Sequence, residues 1–197
     1  MRGAVVALLV LLAGPALATQ DAWPALFDVT GVAADDVLNI RAEPNAGAAI
    51  LDTFAPDRTN IEVIRPNETE DWGMVNTGEG TGWVSLAFLD RQPGQWTYSF
   101  PAISACYGNE PFWSIRVTPE VTLSTPEEEL SGTETARLSP LNNLTRFGLV
   151  ADFAGQPFQG VIQRQECSDG MSDRSFGIEI NAFYDDQMWS GCCTLGN

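Results

Sequence analysis

The stretch DWGMVNTGEGTGWVSL, residues 71–86, decides the fold class of this chain. DWGMV at 71–75 and GWVSL at 82–86 are two short strand-like runs separated by NTGEGT, whose Gly78 and Gly80 suit a hairpin. Moving toward the N-terminus, IEVI at 61–64, AILDTF at 49–54 and VLNI at 37–40 repeat the pattern, with EPNAG at 43–47 as a loop. In VLNI, Leu38 and Ile40 fall on one face and Asn39 on the other, with Arg41 continuing the Asn39 face. Five short strands at this spacing, with no helical stretch, predict a small antiparallel barrel over residues 28–90.

Moving toward the C-terminus, RQPGQ at 91–95 reads as a linker, because Pro93-Gly94 interrupts any strand. So short a linker brings the two halves into contact. Residues 96–197 are again strand-like: FWSIRV at 112–117, EVTLST at 120–125 after a Thr-Pro turn, then TARLSPL, FGLVADF, FQGVIQRQEC, FGIEINAF and MWSGCCTL. Seven or eight strands in about 100 residues predict a closed barrel or a sandwich. The whole chain is therefore expected to be all-β.

The N-terminus carries a different signal. Arg2, the apolar run AVVALLVLLA at 4–13, Gly14-Pro15 and the small-x-small triplet Ala16-Leu17-Ala18 form the three-part pattern of a secretory signal peptide at 1–18, with cleavage expected after Ala18. The run is short for a transmembrane anchor, which needs about 20 apolar residues. No cysteine follows the cleavage point to mark a lipoprotein, so the mature protein is expected in the periplasm or outside a bacterial cell, with no membrane insertion.

Cys106, Cys167, Cys192 and Cys193 are the four cysteines. In an oxidising compartment two disulfides are the default. Adjacent residues lie only about 3.8 Å apart at Cα, below the usual disulfide range, which disfavours a Cys192–Cys193 bridge. On a strand these two side chains point to opposite faces, so each reaches a different partner. Cys106 then pairs with either Cys192 or Cys193, and Cys167 with the other. A four-thiolate zinc site is the competing reading, disfavoured by the absence of a CxxC spacing.

Composition excludes whole classes of function. The chain has 26 acids, ten basic residues that are all arginine, no histidine and a net charge of −16. Such a field repels nucleic-acid backbones and anionic lipid surfaces. Without histidine there is no Ser-His or Cys-His pair and no His-ligated metal. A carboxylate pair such as Glu110 with Asp169 or Asp173 is the remaining catalytic arrangement, but nothing in the sequence makes them neighbours, and the chain is read as no enzyme. Asp169, Asp173 and Glu179 are also candidate calcium ligands, yet SDGMSD lacks the D-x-D-x-D-G form of a calcium loop, and no metal or cofactor is expected. Turn chemistry accounts for the segment: Asp169-Gly170 as a turn, Asp173 capping backbone N–H groups, and Arg174 pairing locally.

DDVLNIRAEPNAGAAIL, IEVI and DWGMVNTGEGTGWVSLAFL together resemble the bacterial SH3 domain over residues 28–90. That resemblance implies an SH3-like barrel of a kind that engages cell-wall peptide or a protein ligand in exported proteins, without catalysis. CYGNEPFW at 106–113, CSDGMSDRSFG at 167–177 and WSGCC near the end resemble a domain of small exported bacterial proteins and lipoproteins of unassigned function, distantly similar to META-type and lysozyme-inhibitor-type β-barrels.

Ligand-binding candidates follow. Trp72 and Trp83 offer flat apolar faces to a peptide, against the plainer reading that each packs the barrel core. Arg41 is placed to meet a peptide carboxylate, or to pair with Asp35, Asp36 or Glu43. In CYGNEPFW, Tyr107-Gly108-Asn109 is expected to turn and Phe112 and Trp113 to enter a strand on opposite faces. That makes the segment first a structural corner at the seam of the barrel, and second a rim with Glu110 and an outward aromatic, Trp113 being the candidate, as contacts. Asp169, Asp173 and Arg174 complete the set. The expected function is an exported, non-catalytic envelope-binding protein with peptidoglycan or an envelope protein as partner. The alternative is a lysozyme-inhibitor-like protective protein, whose negative field would speed encounter with a cationic lysozyme.

Overall fold

A computed structural model describes residues 21–78, 80–117 and 120–196. The signal-peptide reading of residues 1–18 and the Thr118-Pro119 turn lie outside the described residues. The expectation of an all-β chain holds, with two hydrophobic cores, one in each half.

The N-terminal half forms two antiparallel sheets around one core. β1 (Ala25–Val29) pairs with β4 (Ile61–Val63) on one side and β8 (Leu89–Arg91) on the other. The second sheet has the order β3 (Ile50–Phe54), β2 (Leu38–Arg41), β7 (Gly80–Ser85), β6 (Trp72–Thr77), β5 (Arg65–Pro66). The β6–β7 hairpin is the one the opening stretch predicts, with Trp72 opposite Ser85 and Met74 opposite Trp83. Alternation decides which side chains enter: Leu38 and Ile40 are buried while Asn39 and Arg41 are half-buried on the other face.

Three strands of this half, β1, the two-residue β5 and β8, were not expected from the sequence. The domain begins before residue 28, at β1, and β8 runs into the predicted linker as far as Arg91. β1 reads ALFDV, opening on the unbroken apolar run ALF rather than an alternation, because that part is covered on both sides. Ala25 and Phe27 belong to the N-terminal core and Leu26 to the core of the second half, and a strand buried on two faces loses its period-two signature.

The C-terminal half is an eight-stranded up-and-down barrel, closed by pairing of its first and last strands: β9 (Ile103–Asn109), β10 (Phe112–Arg116), β11 (Val121–Ser124), β12 (Glu129–Leu138), β13 (Arg146–Phe153), β14 (Gln156–Cys167), β15 (Phe176–Tyr184) and β16 (Gln187–Leu195). Closure leaves no open sheet edge. In β13 Phe147, Leu149, Ala151 and Phe153 point inward in strict alternation, and at this strand number a barrel is just wide enough for side chains to fill it. The aromatic cluster of Trp113, Phe153, Phe158, Tyr184 and Trp189 fills part of the interior, with Trp113 5.5 Å from Trp189 and 6.4 Å from Phe158 between ring centroids.

Both disulfides stitch this barrel. Cys106 and Cys193 are directly opposed on β9 and β16 and bridge the closing seam from within the core. Cys167 at the end of β14 reaches over β15 to Cys192. The opposite-face placement of Cys192 and Cys193 on one strand thus sends each to a different partner.

The halves are docked through named contacts. The Gln95 side chain accepts from Leu26 N at 2.6 Å and donates to Leu26 O at 2.8 Å, strapping the linker to β1. Asn76, beyond the centre of the β6 strand, donates to Ser175 O at 2.9 Å and accepts from Ser175 N at 3.1 Å. Arg164 donates to Ser99 O at 2.9 Å and Pro24 O at 3.4 Å while lying over the Phe147 ring. Its burial and the neighbouring Arg91 bring its pKa down to about 10, so it remains charged at neutral pH.

Candidate functional site

The sequence-named residues of the N-terminal half divide into two groups. Arg41 ends β2 and its guanidinium donates to Ala48 O at 2.8 Å, folding the 42–49 loop back on itself. It makes no ion pair with Asp35, Asp36 or Glu43. Trp72 opens β6, half-buried, with its backbone N–H donated to Asn67 Oδ1 at 3.1 Å. The same loop is knotted by Thr69 Oγ1 and Asn67 Nδ2 donating to Asp71 at 2.5 and 2.8 Å, and these bonds hold the Asp71 carboxyl below its ordinary pKa. Arg41 and Trp72 line one groove of about 470 Å³ together with Val32, Asp36, Val37 and Phe88. Val37 and Phe88 are 43% and 41% exposed, an apolar surface left open to solvent on the groove wall.

Trp83 stands elsewhere. It is half-buried on β7, opposite Arg41 and Met74 in the sheet, with the Arg65 guanidinium 5.3 Å above its ring. It is not among the groove residues, and the plainer reading of it, as part of the sheet's packing, describes its surroundings. As residues of a ligand groove, Asp36, Val37 and Phe88 were missed from the sequence. Phe88 sits in a single 3₁₀ turn (Leu86–Phe88) between β7 and β8, which leaves its ring exposed.

CYGNEPFW is built differently from its predicted form. Tyr107, Gly108 and Asn109 do not turn: they are the end of β9, and the reversal is the two-residue Glu110-Pro111 corner between Asn109 and Phe112, which face each other across the hairpin. Gly108 is glycine for a packing reason, because a Cβ there would collide with the Trp113 indole and the Ser190 carbonyl. Of the two aromatics, Trp113 is the inward one, 4% exposed, and Phe112 is outward, 55% exposed. Trp113 is therefore a core residue and no surface contact, since the strand alternation that starts at Phe112 puts it inside. Glu110 is exposed at the corner.

In the CSDGMSD segment the capping residue is Asp169 rather than Asp173. Its carboxylate accepts from Met171 N and Ser172 N, each at 3.0 Å, and from Ser172 Oγ at 2.9 Å. Burial would push its pKa up, but these bonds and the Arg174 charge outweigh it and hold the carboxyl below its ordinary range. A carboxylate committed in this way is not poised as an acid or base. Asp173 is exposed, and Asn109 donates to the Asp169 carbonyl, tying the loop to β9. Among the described residues no cluster of acids and cysteines is arranged to hold a metal ion.

Arg174 makes no ion pair with Asp173, and the local acid its charge acts on is Asp169. Its guanidinium lies 5.4 Å from the Phe176 ring centroid, over the ring, and the residue faces the N-terminal half, where its charge acts on Glu62 of β4. Glu62 accepts from Leu195 N at 3.2 Å through Oε2, while Oε1 is inaccessible to solvent and without a partner. Burial dominates here and pushes its pKa up to about 8 against the opposing effects of the Leu195 N–H and Arg174. Around these two residues lies a second cleft, of about 640 Å³, formed by both halves of the protein. Sequence reasoning gave no hint that Arg58, Glu62, Arg116 and Arg174 share a site, since the 58–62 segment, Arg116 and Arg174 lie far apart in the chain.

The molecule thus presents an apolar groove with one arginine and one aspartate on the N-terminal half, and a polar cleft where the halves meet. Compared with known protein families, curated proteins and solved structures, the chain gives no match.

Proposed function

We propose that this is an exported, non-catalytic binding protein of the bacterial cell envelope, whose N-terminal, SH3-like half takes cell-wall peptide in the Arg41–Trp72 groove. The observation that carries the reading is the composition of that groove: Trp72, Val37 and Phe88 offer apolar surface, with Arg41 and Asp36 on the same rim. An extended peptide with small apolar side chains, a free carboxylate and a free amine matches this set, the carboxylate on Arg41 and the amine on Asp36. The size of the groove suits a few residues of peptide rather than a folded partner. Export is supported by the signal-peptide pattern and by the two disulfides, which form and persist in oxidising compartments.

Co-sedimentation of the mature chain with intact peptidoglycan tests this. Retention of the wild-type protein, lowered about tenfold or more in Trp72→Ala and in Arg41→Gln, is the expected result, as for truncation of an interface anchor. Absence of retention, or retention equal in all three proteins, removes the reading.

A further inference from the structure

We propose that the cleft between the two halves is a second ligand site, taking a small organic polycarboxylate held by Arg58, Arg116 and Arg174. Ten arginines serve a chain with 26 acids, and three of them line this one cleft, where Glu62 is the only acidic residue among the described ones. They come from separate places: Arg58 from the segment before β4, Arg116 from the end of β10 and Arg174 from the loop before β15. The two ion pairs found among the described residues, Arg91–Asp21 and Arg137–Glu134, involve none of them. Arg174 feels the Asp169 charge at longer range, but none of the three is in a close ion pair; like charges lining one cleft repel one another, and an anion bound between them relieves that repulsion.

Two buried polar atoms without partners belong to the same cleft, Glu62 Oε1 and Arg174 Nε. Glu62 would be expected to oppose an anion, but its burial keeps the carboxyl protonated at neutral pH. In that form it is a hydrogen-bond donor and presents no charge. Further hydroxyls stand on the β9–β16 wall: Tyr107 and Thr194 are hydrogen-bonded to each other at 2.8 Å, and both line the cleft. The site therefore combines guanidinium forks, a neutral acid and hydroxyls, all of them suited to carboxylate oxygens.

Size and field select within the anions. A volume of about 640 Å³ is far larger than one inorganic oxyanion needs and admits a di- or tricarboxylate or a short peptide acid. A long polyanion would extend into the negative field of the rest of the surface, whereas a small ligand meets only its local environment within a Debye length of about 8 Å. Clefts where two domains meet are favoured ligand sites, and a ligand here would touch both halves at once.

Isothermal titration of the full mature chain with citrate tests the assignment, with inorganic phosphate as the size control. Citrate is expected to bind, more weakly as salt is raised, and Arg58→Gln and Arg116→Gln are each expected to weaken it about tenfold, as for loss of one charge-assisted contact. Both residues are exposed, so these variants keep the fold. Arg174→Gln is the more drastic change because that side chain also packs on Phe176. Trp72→Ala is expected to leave citrate binding unchanged, which separates this site from the peptide groove. No binding of citrate at about 10 mM, a level that detects even millimolar affinity, overturns the proposal. So does equal affinity of citrate for the wild type and both arginine variants, or phosphate binding as tightly as citrate.

Discussion

Replacing Glu62 with glutamine should stabilise the protein increasingly as pH rises from 5 to 8. Burial raises the folded-state pKa of this carboxyl from its ordinary 4.5 to about 8. Between those two values the unfolded chain has released the proton and the folded one has kept it, so the folded state binds more protons and stability falls as pH increases. One pKa unit is worth about 1.4 kcal/mol. The penalty is therefore absent below pH 4.5, about 3 kcal/mol at pH 7 and levels off near 5 kcal/mol above pH 8. Glutamine does not titrate. Its carbonyl oxygen keeps the acceptor for Leu195 N, which Glu62 Oε2 now meets at 3.2 Å, and its amide takes the place of the Oε1 hydroxyl that already lacks a partner. Urea unfolding of both proteins, followed by tryptophan fluorescence at several pH values, gives the difference in stability at each. Other acids titrate alike in the two proteins and cancel from that difference. The expected slope is about 1.4 kcal/mol per pH unit between pH 5 and 7.5 in favour of glutamine. A difference independent of pH across this range would refute the buried, protonated Glu62.

Four further changes probe the scaffold. Gly108→Ala places a methyl group against the Trp113 indole and Ser190 carbonyl; it should cost about 1–3 kcal/mol, seen as a lower thermal midpoint, and a wild-type midpoint would contradict the packing described. Removing the Cys106–Cys193 bridge, which spans 87 residues, should cost about 4.6 kcal/mol by chain entropy, and removing Cys167–Cys192, which spans 25, about 3.5 kcal/mol; denaturant unfolding of the paired serine variants should rank them in that order. Asn76→Ala removes both hydrogen bonds to Ser175, so amide exchange at Ser175 should accelerate while the centre of β13 stays protected.

Much of the strand pattern was legible because most strands here are wet on one face. The alternation of Phe147, Leu149, Ala151 and Phe153 in β13 and of Leu38 and Ile40 in β2 survives because each neighbour points outward. The β9 strand, over ISACYGN, was missed for a local reason. Gly108 looked like a turn residue, whereas it is small because the Trp113 indole on the next strand lies against it, a cross-strand contact that turn preferences of single residues do not reveal. The error carried over to the tryptophan: with the reversal placed three residues early, either aromatic of Phe112-Trp113 could have been the outward one. The adjacent cysteines fared better, because the two faces of a strand restrict them whatever its partners are.

Local charge patterns misled in the same way. Arg174 follows Asp173, and Arg41 lies near Asp35, Asp36 and Glu43, so neighbouring acids seemed sufficient partners. An exposed pair of that kind gains little, on the order of 0–1 kcal/mol, too little to hold a side chain against tertiary packing. Arg41 instead closes its own loop on the Ala48 carbonyl, and Arg174 lies over Phe176 and faces Glu62 across the join between the halves. What makes that join chemically distinctive is the combination of unspent positive charge with a carboxyl kept neutral by burial. Each part is meaningless alone: Glu62 reads as one more surface acid in IEVI, Arg58 as a solvated loop residue and Arg116 as a solvated strand-end residue. Only docking, through Leu26 in the barrel core and Asn76 on Ser175, desolvates the first and brings the others to its edge. The feature of greatest functional interest therefore depends on how the two halves meet, which is the property that hydrophobic periodicity within either half does not encode.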